Sequence, residues 1–384
     1  MEVGLHFIDF LPGDPATLGP TLADAAKAAE QGGATMFTLA DHFFQMEALG
    51  RAEDPFLEGY TSLGFLAGQT TTIDLTLLVT GVTYRCPGVL AKTVTTLDVL
   101  SQGRSMLGLG AAWYDREHVA LGIPYPPLNT RFEMLEETLQ ICRQMWSDND
   151  GPYDGKHYRL AETICEPQPI RRPPILIGGD GEKKTLRLVA QYADIWNSMT
   201  SDAEELKHKI DVLNRHCDTL GRDPGEIRRT AGGLLVLDPF EDTDGYLKTV
   251  ERYAELGVEL INLGPLPGDP DPVGFIRHLG DELIPRLAEI AGALSGIARV
   301  AGVDVAGHAA TEGGDPGEPG RDAGAVGVAG DQVVGEQAGN GLVEITGGQH
   351  ELLLGWQVDG FGHPAMHDTG QARGPQRGPG ALHR

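Results

Sequence analysis

Short apolar runs alternate with amphipathic stretches from the start of the chain to about residue 294. Eight of these runs have the length and the β-branched and aromatic content of buried strands. They are 3–10, 34–40, 74–83, 105–110, 174–179, 193–198, 229–237 and 258–264. Apolar positions recur at helical spacing in 20–31, 88–101, 130–146, 182–192, 202–219, 243–256 and 273–294. The alternation predicts βαβ units and therefore a parallel sheet.

The number of these units favours a closed barrel. Eight units in roughly 290 residues are typical of an α/β fold of the (β/α)8 TIM-barrel type. An open, doubly wound sheet usually has fewer strands, and no GxGxxG follows the first strand here. We therefore predict a TIM barrel.

Two segments interrupt this pattern. Residues 147–172 predict an inserted loop or small hairpin, which in a barrel usually lies over the catalytic mouth or at an interface. Residues 297–384 contain 21 glycines and no lysine, too little apolar material to fold alone. We expect residues 1–295 to form the barrel domain and 296–384 to be a disordered extension. Translation past a natural stop or out of frame would give the same composition.

The net charge, the apolar runs and the cysteines of the chain argue against several kinds of binding partner. The formal net charge of −25 disfavours nucleic acid and anionic membranes as partners, and no apolar run approaches the ~20 residues of a membrane span. The four cysteines lie far apart without a CxxC pair, which argues against zinc and disulfides and fits the cytoplasm. We expect a cytoplasmic homodimer that binds a small-molecule substrate.

In a TIM barrel, catalytic groups lie where strands end. The second strand ends in "LADHFFQ", with Asp41 adjacent to His42. A turn or helix cap is the default interpretation. No further ligands indicate a metal site, and no GxSxG indicates a serine nucleophile. Proton transfer or cofactor contact is the remaining functional alternative, because histidine titrates near neutrality.

Glycine-rich strand ends are the second candidate feature. "ILIGGDGEKKTLRLVA" predicts a strand, a turn and a helix whose first amides could bind a phosphate. Glycines ending strands three, four and five would let a flat ring approach the backbone. They could equally be ordinary connections. Trp113 and Trp196 could line an apolar pocket or belong to the core.

A long motif at residues 76–117, "TLLVTGVTYRCPGVLAKTVTTLDVLSQGRSMLGLGAAWYDRE", resembles the bacterial luciferase-like (LLM) superfamily, specifically its coenzyme F420-dependent oxidoreductase branch. Further similar blocks are "ADHFF", "GIPYPPLNTRFEMLEETLQICRQMW", "GPYDGKHYRL" and "PPILIGGDGEKKTLRLVAQYADIWN". The resemblance covers about residues 3–294 and does not extend to the tail.

The resemblance implies a luciferase-like TIM barrel that binds a flavin or deazaflavin at its mouth. It implies that His42 is a catalytic residue beside the redox centre and that Asp41 contacts the cofactor. It also implies a bulge at the end of strand three, often with a non-prolyl cis peptide, that backs the ring. The cofactor-binding residues expected besides Asp41 are Thr80, Gly81, Val82, Gly110, Gly178, Gly179 and Gly181.

One position departs from the resemblance. The deazaflavin-dependent glucose-6-phosphate dehydrogenases carry a glutamate where this chain has Trp113, which counts against a sugar phosphate and leaves Glu117 as the nearest glutamate. We expect hydride transfer between coenzyme F420 and a small organic substrate. The alternatives are an FMN-dependent monooxygenase and a ligand-binding barrel without catalysis.

Overall fold

The computed structural model describes residues 1–11, 13–235 and 237–290, and these form a parallel barrel. The barrel strands are β1 (Glu2–Phe7), β2 (Met36–Leu39), β3 (Asp74–Leu77), β4 (Thr80–Gly81), β5 (Leu107–Gly110), β8 (Ile175–Gly178), β9 (Ile195–Ser198), β10 (Arg228–Ala231) and β11 (Leu260–Leu263), with the short strands β6 (Tyr153–Asp154) and β7 (Arg159–Leu160) in a separate hairpin. Their order around the barrel is β3-β2-β1-β11-β10-β9-β8-β5-β4. The predicted TIM barrel is confirmed.

Two contacts close the ring of strands. The first and last strands pair in parallel, with Leu5 opposite Leu263. On the other side the amide of Leu75 donates to the carbonyl of Arg104 at 2.8 Å, and the amide of Met106 donates to the carbonyl of Leu75 at 3.1 Å. β3 and β4 therefore share one of the eight positions of the barrel, and a cis peptide bond between Leu78 and Val79 separates them.

Helices surround the strands. They are α1 (Pro15–Gln31), α2 (Gly59–Ala67), α3 (Pro87–Ser101), α4 (Asp115–Leu121), α5 (Leu128–Met145), α6 (Thr185–Tyr192), α7 (Ala203–Leu220), α8 (Thr243–Glu255) and α9 (Pro272–His278), with a 3₁₀ turn (Pro224–Glu226) and a π-helical turn (Leu279–Leu283) that continues as helix to residue 290. Acidic caps start several of them: Asp202, for example, accepts the amide of Glu205 at 2.7 Å. Such a cap satisfies an amide that has no partner inside the helix. No helix in the described ranges is long and apolar enough to cross a membrane.

Apolar side chains fill both the barrel and the layer between strands and helices. The interior group consists of Met36, Met106, Leu176, Ile195 and Leu260, with the partly buried Leu78 and Val79 packed against it. The larger outer group includes the fully buried side chains of Phe37, Leu75 and Trp196. Because side chains rather than solvent fill the interior, the functional groups must lie at one end of the barrel.

The elements differ from the predicted ones at several places, among them the following. α2 and α4 were not predicted, since both are short and neither repeats an apolar face over several turns. The helix predicted from 182 begins at Thr185, because 182–184 form a turn. The seventh strand ends at Ala231, where the carbonyl of Gly232 accepts the amide of Leu235 and turns the chain.

The segment 147–172 contains the antiparallel hairpin of β6 and β7, with Tyr153 opposite Leu160. Glu137 on α5 fixes this hairpin by accepting backbone amides, among them those of Lys156 at 2.9 Å and Tyr158 at 3.0 Å. The glycine-rich tail, about which the sequence predicted disorder, lies outside the described residues.

Candidate active site

The carboxyl ends of the strands bring residues from distant parts of the sequence to one mouth. Asp41 and His42 follow β2, Tyr84 and Arg85 follow β4, and Glu117 lies on α4, the short helix after β5. These are the positions where a TIM barrel carries its chemistry. The structure therefore gathers the predicted Asp41–His42 pair and the predicted nearby acid into one cluster.

His42 is paired with a fully buried carboxylate. Its Nδ1 lies 2.8 Å from Oε1 of Glu117, a residue with 0% of its surface exposed. The other oxygen, Oε2, accepts the amides of Phe43 at 2.8 Å and Phe44 at 3.3 Å. The hydroxyl of Tyr84 also donates to Oε1. The carboxylate thus holds both the imidazole and the loop that carries it.

These contacts determine the charge of Glu117. Burial opposes ionisation, but the hydrogen bonds from His42, Tyr84 and the Phe43 amide outweigh it, so the pKa of Glu117 lies below its ordinary value. An ionised carboxylate at Nδ1 favours the tautomer that carries the proton there. Nε2 is then the nitrogen that is available to exchange a proton with another group.

Aromatic rings surround the His42 imidazole. Its centroid lies 5.4 Å from the ring of Trp113, 5.6 Å from that of Tyr114 and 6.2 Å from that of Phe56, all edge to face. Trp113 is 41% exposed, whereas Tyr114 is buried. The imidazole is therefore set in an apolar wall whose indole reaches solvent.

A second histidine beneath the mouth is neutral. Nδ1 of His6 lies 2.7 Å from the hydroxyl of Thr38 inside the barrel. Burial, and secondarily repulsion by His42, lowers the pKa of His6 to about 3. This side chain has a structural role at neutral pH.

Asp41 is the centre of a buried ion pair. Arg85 donates to its two oxygens at 2.7 and 2.9 Å, and the amide of Gly81 donates at 3.2 Å. The same guanidinium reaches Glu58 at 2.5 Å. Burial raises the pKa of Asp41, and the contacts with Arg85 oppose this effect. The structure gives Asp41 a positioning role at the end of strand three, while direct cofactor contact stays a prediction.

Sequence reasoning missed the partners of this ion pair. Glu58 caps α2 by accepting the amide of Thr61 at 2.7 Å, and Tyr60 stacks under the Arg85 guanidinium at 4.7 Å. A side-chain oxygen just before a helix can cap it by accepting an amide of the first turn. The sequence pattern predicts no helix at α2, so this cap could not be inferred. Phe56 and Tyr114 carried no signal beyond their aromatic character.

The end of strand three is tightly packed. The hydroxyl of Thr80 lies 2.8 Å from that of Tyr60, and the amide of the buried Val82 donates to the carbonyl of Gly110 at 3.0 Å. The cis peptide that the resemblance implies precedes this segment, between residues 78 and 79.

Two of the predicted glycines face one side chain. A Cβ at Gly110 would lie 2.8 Å from a methyl carbon of Val79, and a Cβ at Gly178 would lie 3.0 Å from another. Both distances are shorter than ordinary carbon contacts. Val79 therefore forms the floor of the mouth. A side chain at Gly110 or at Gly178 would displace Val79 from this position.

The loop after β8 has a backbone that requires glycine. Gly179 has φ +113°, a conformation in which side chains other than hydrogen are strained. Its carbonyl accepts the indole N–H of Trp196 at 2.9 Å. Since Trp196 is fully buried, it supports this loop from the core and does not line the mouth. A Cβ at Gly181 would lie 2.8 Å from the hydroxyl of Thr185.

A lysine that follows this loop contacts the first turn of α5. Nζ of Lys184 donates to the side chain of Asn129, in the first turn of α5, at 2.7 Å. In the same turn, the buried Arg131 stacks 3.9 Å above the ring of Tyr125. Within the described part of the chain, its Nε and Nη1 have no hydrogen-bond partner. A buried guanidinium of this kind is suited to an anionic group.

The sequence is similar to those of known proteins. The sequence profile of a family described as luciferase-like monooxygenase matches residues 1–253. An uncharacterised protein of Mycobacterium tuberculosis is 29% identical over 280 residues, which are 69% of this chain and 94% of that protein. An F420-dependent glucose-6-phosphate dehydrogenase of Kineococcus radiotolerans is 27% identical over 266 residues, 68% of this chain and 75% of that protein.

Solved structures share the fold. The coenzyme F420-dependent tetrahydromethanopterin reductase of Methanopyrus kandleri superimposes with a TM-score of 0.61 at 18% identity, over 74% of this chain and 99% of that one. A monooxygenase from Streptomyces bottropensis superimposes with a TM-score of 0.59 at 19% identity, over 74% of this chain and 99% of that one. At these identities the likeness concerns the fold alone.

Proposed function

The chain belongs to the luciferase-like monooxygenase family of enzymes, and we propose that it is an oxidoreductase that uses the deazaflavin coenzyme F420 to transfer a hydride to or from a small organic substrate. Relatives named as F420-dependent enzymes support this choice among the members of the family. The observation that carries the proposal is the buried His42–Glu117 pair at the mouth.

The residues at the mouth suit a cofactor with a flat ring and an anionic side chain. Val79, between Gly110 and Gly178, offers a low floor on which a ring could lie. Arg131, with two unpartnered nitrogens, and Lys184 would hold the anionic part beside the loop of Gly179 and Gly181. The binding roles of Thr80, Gly81 and Val82 belong to this proposal.

When bound, F420 supplies or accepts a hydride at C5 of its ring. His42 exchanges the accompanying proton with the substrate through Nε2, since Glu117 occupies Nδ1. The negative charge of Glu117 stabilises the imidazolium whenever His42 holds that proton. The surrounding rings of Phe56, Trp113 and Tyr114 exclude water from the imidazole, which strengthens this pairing.

The second candidate is an FMN-dependent monooxygenase, which the family description and the structural likeness to such an enzyme favour. A flat floor and an anion-binding edge would serve FMN as well as F420. The chemistry would then be a reaction of reduced flavin with oxygen, so the two candidates differ in cofactor and in oxygen consumption.

Titration of the purified protein with F420 and, separately, with FMN tests the proposal through the fluorescence of each cofactor. We expect the fluorescence of F420 to be quenched saturably when the cofactor binds. Saturation should occur at lower concentrations of F420 than of FMN. In His42→Ala, F420 affinity should stay close to wild type while turnover falls by ~10²–10⁴-fold, the usual contribution of an acid–base group. Tighter FMN binding with oxygen consumption would establish the monooxygenase, and binding of neither cofactor would favour the ligand-binding barrel.

A further inference from the structure

Resting on the proposed function, we propose that His118 is a positioning residue that fixes the pair of His42 and Glu117. His118 directly follows Glu117 on α4 and has 0% of its surface exposed. Its imidazole takes no direct part in the proton exchange proposed for His42. It acts instead through Thr83 and Tyr84, which follow β4 and contact α4.

Two consecutive residues after β4 contact two consecutive residues of α4. Oγ1 of Thr83 lies 2.6 Å from Nε2 of His118. The hydroxyl of Tyr84 donates to Oε1 of Glu117, the same atom that lies 2.8 Å from Nδ1 of His42. A rotation or shift of α4 would misalign both contacts at once, and hydrogen bonds weaken steeply when their angle changes. The bond between Thr83 and His118 therefore helps to fix where this carboxylate oxygen meets the imidazole.

The other contacts of His118 fix the orientation of its ring. Its Nδ1 lies 2.6 Å from the carbonyl oxygen of Tyr114. Because a carbonyl oxygen only accepts, Nδ1 carries the proton and Nε2 accepts from the hydroxyl of Thr83. The imidazole also stacks on the phenol ring of Tyr84, with the ring centroids 4.8 Å apart and an interplanar angle of 27°. The ring cannot turn without losing one of these partners.

The charge of His118 suits this role. Burial lowers the pKa of His118, and this effect outweighs the hydrogen bond to the Tyr114 carbonyl and the negative charge of Glu117, which raise it. The imidazole is therefore neutral at neutral pH. It orients the segment that carries Tyr84 without bringing a second positive charge to the carboxylate. A protonated group at this position would compete with His42 for Glu117.

Nuclear magnetic resonance of the ligand-free protein, prepared with isotope-labelled histidine, tests the proposal. The proton on Nδ1 of His42 reports the hydrogen bond with Glu117, and the loss of its signal in His42→Asn assigns it. His118→Gln keeps an oxygen that can accept from Thr83, because a glutamine amide reaches as far as Nε2 of a histidine. We expect the His42 signal to be retained in this variant.

Two variants remove the hydrogen bond between Thr83 and His118 from its two sides. His118→Asn keeps an amide that can donate to the Tyr114 carbonyl but is too short to reach Thr83. Thr83→Val removes the hydroxyl itself. The His42 signal should move upfield or disappear in both variants. Thr93→Val is the matched control, since its hydroxyl donates to a carbonyl of its own helix, α3, at 2.9 Å, and it should leave the signal unchanged.

An unchanged His42 signal in both His118→Asn and Thr83→Val would overturn the inference. Loss of the signal in His118→Gln with retention in His118→Asn would also overturn it, because His118 would then only support Tyr114. If His118→Asn does not fold, Thr83→Val decides the question. Fluorescence titration of the same samples with F420 separates this failure from that of the proposed function. F420 binding with a His42 signal that does not depend on His118 would reject only the positioning role, whereas a dependent signal without F420 binding would reject only the F420 assignment.

Discussion

The Nδ1 atom of His42 lies 2.8 Å from Oε1 of Glu117, although 75 positions separate the two residues in the chain. The same carboxylate accepts the amides of Phe43 and Phe44. One buried anion therefore fixes the imidazole, its tautomer and the loop on which it is placed. In the proposed function this relationship prepares His42 for proton exchange, and it leads directly to the first prediction.

Glu117→Gln should keep the shape of this contact while removing its charge. We expect turnover to fall by roughly 10²-fold, less than the loss that follows removal of the acid from a catalytic triad. The pH–rate profile should change as well, because the imidazole loses its anionic partner. The measurement is the rate of F420 reduction or oxidation across pH, with F420 affinity as a second readout.

Tyr84→Phe is the matched control for that variant, since it removes one hydrogen bond from Glu117 and leaves the carboxylate in place. Its effect on rate should be smaller, and its pH profile should shift less. Full activity of Glu117→Gln with an unchanged pH profile would show that the carboxylate only holds the loop.

Removal of Arg85 should destabilise the barrel. In Arg85→Met the carboxylate of Asp41 stays buried without its bidentate partner, which costs about 3–5 kcal/mol of unfolding free energy. Addition of Asp41→Asn should recover part of the loss, because an amide is easier to bury than an unpaired carboxylate. Urea unfolding of the two single variants and the double variant measures both effects. Strict additivity would contradict the assigned pairing.

His6 should make stability depend on pH. Its pKa is lowered from 6.5 to about 3 in the folded protein. Between these values the unfolded chain binds a proton that the folded protein does not, so the free energy of unfolding decreases as pH falls from 6.5 towards 3. One pH unit below 6.5 the loss from this residue is about 1.4 kcal/mol.

Urea unfolding of the wild-type protein and of His6→Asn at neutral pH and near pH 5.5 measures this loss. The variant should lack that part of the pH dependence, whatever its stability at neutral pH. An identical slope in both proteins would show that His6 becomes protonated without unfolding.

The barrel should fold without the glycine-rich tail. The last strand pairs with the first, and the following helix continues to residue 290, so the ring of strands is complete before residue 295. A chain that ends at Ser295 should keep its unfolding midpoint and its F420 affinity, both compared with the full chain. Loss of either would assign the tail a structural contribution. Size-exclusion chromatography of the same pair tests the expected homodimer.

The periodic apolar pattern by itself determined the class of fold. Burial of one face repeats at short, regular intervals, so eight strands and most helices could be located and their parallel arrangement inferred. The same reasoning placed Asp41 and His42 at a strand end, where the structure has them. Short elements escaped it: α2 and α4 are 9 and 7 residues long, and a helix of that length shows too few repeats of a buried face.

Only the tertiary structure decided which side chains meet. Local spacing cannot place Glu117 against His42, since their contact depends on how α4 packs over the loop after β2. The tertiary structure also pairs Asp41 with Arg85 and separates Trp113 at the mouth from Trp196 in the core. Among the residues that the structure describes, it leaves Nε and Nη1 of Arg131 without a hydrogen-bond partner. The physical reason is that apolar burial repeats with the period of each helix or strand, whereas a hydrogen bond between distant residues follows from the packing of complete elements.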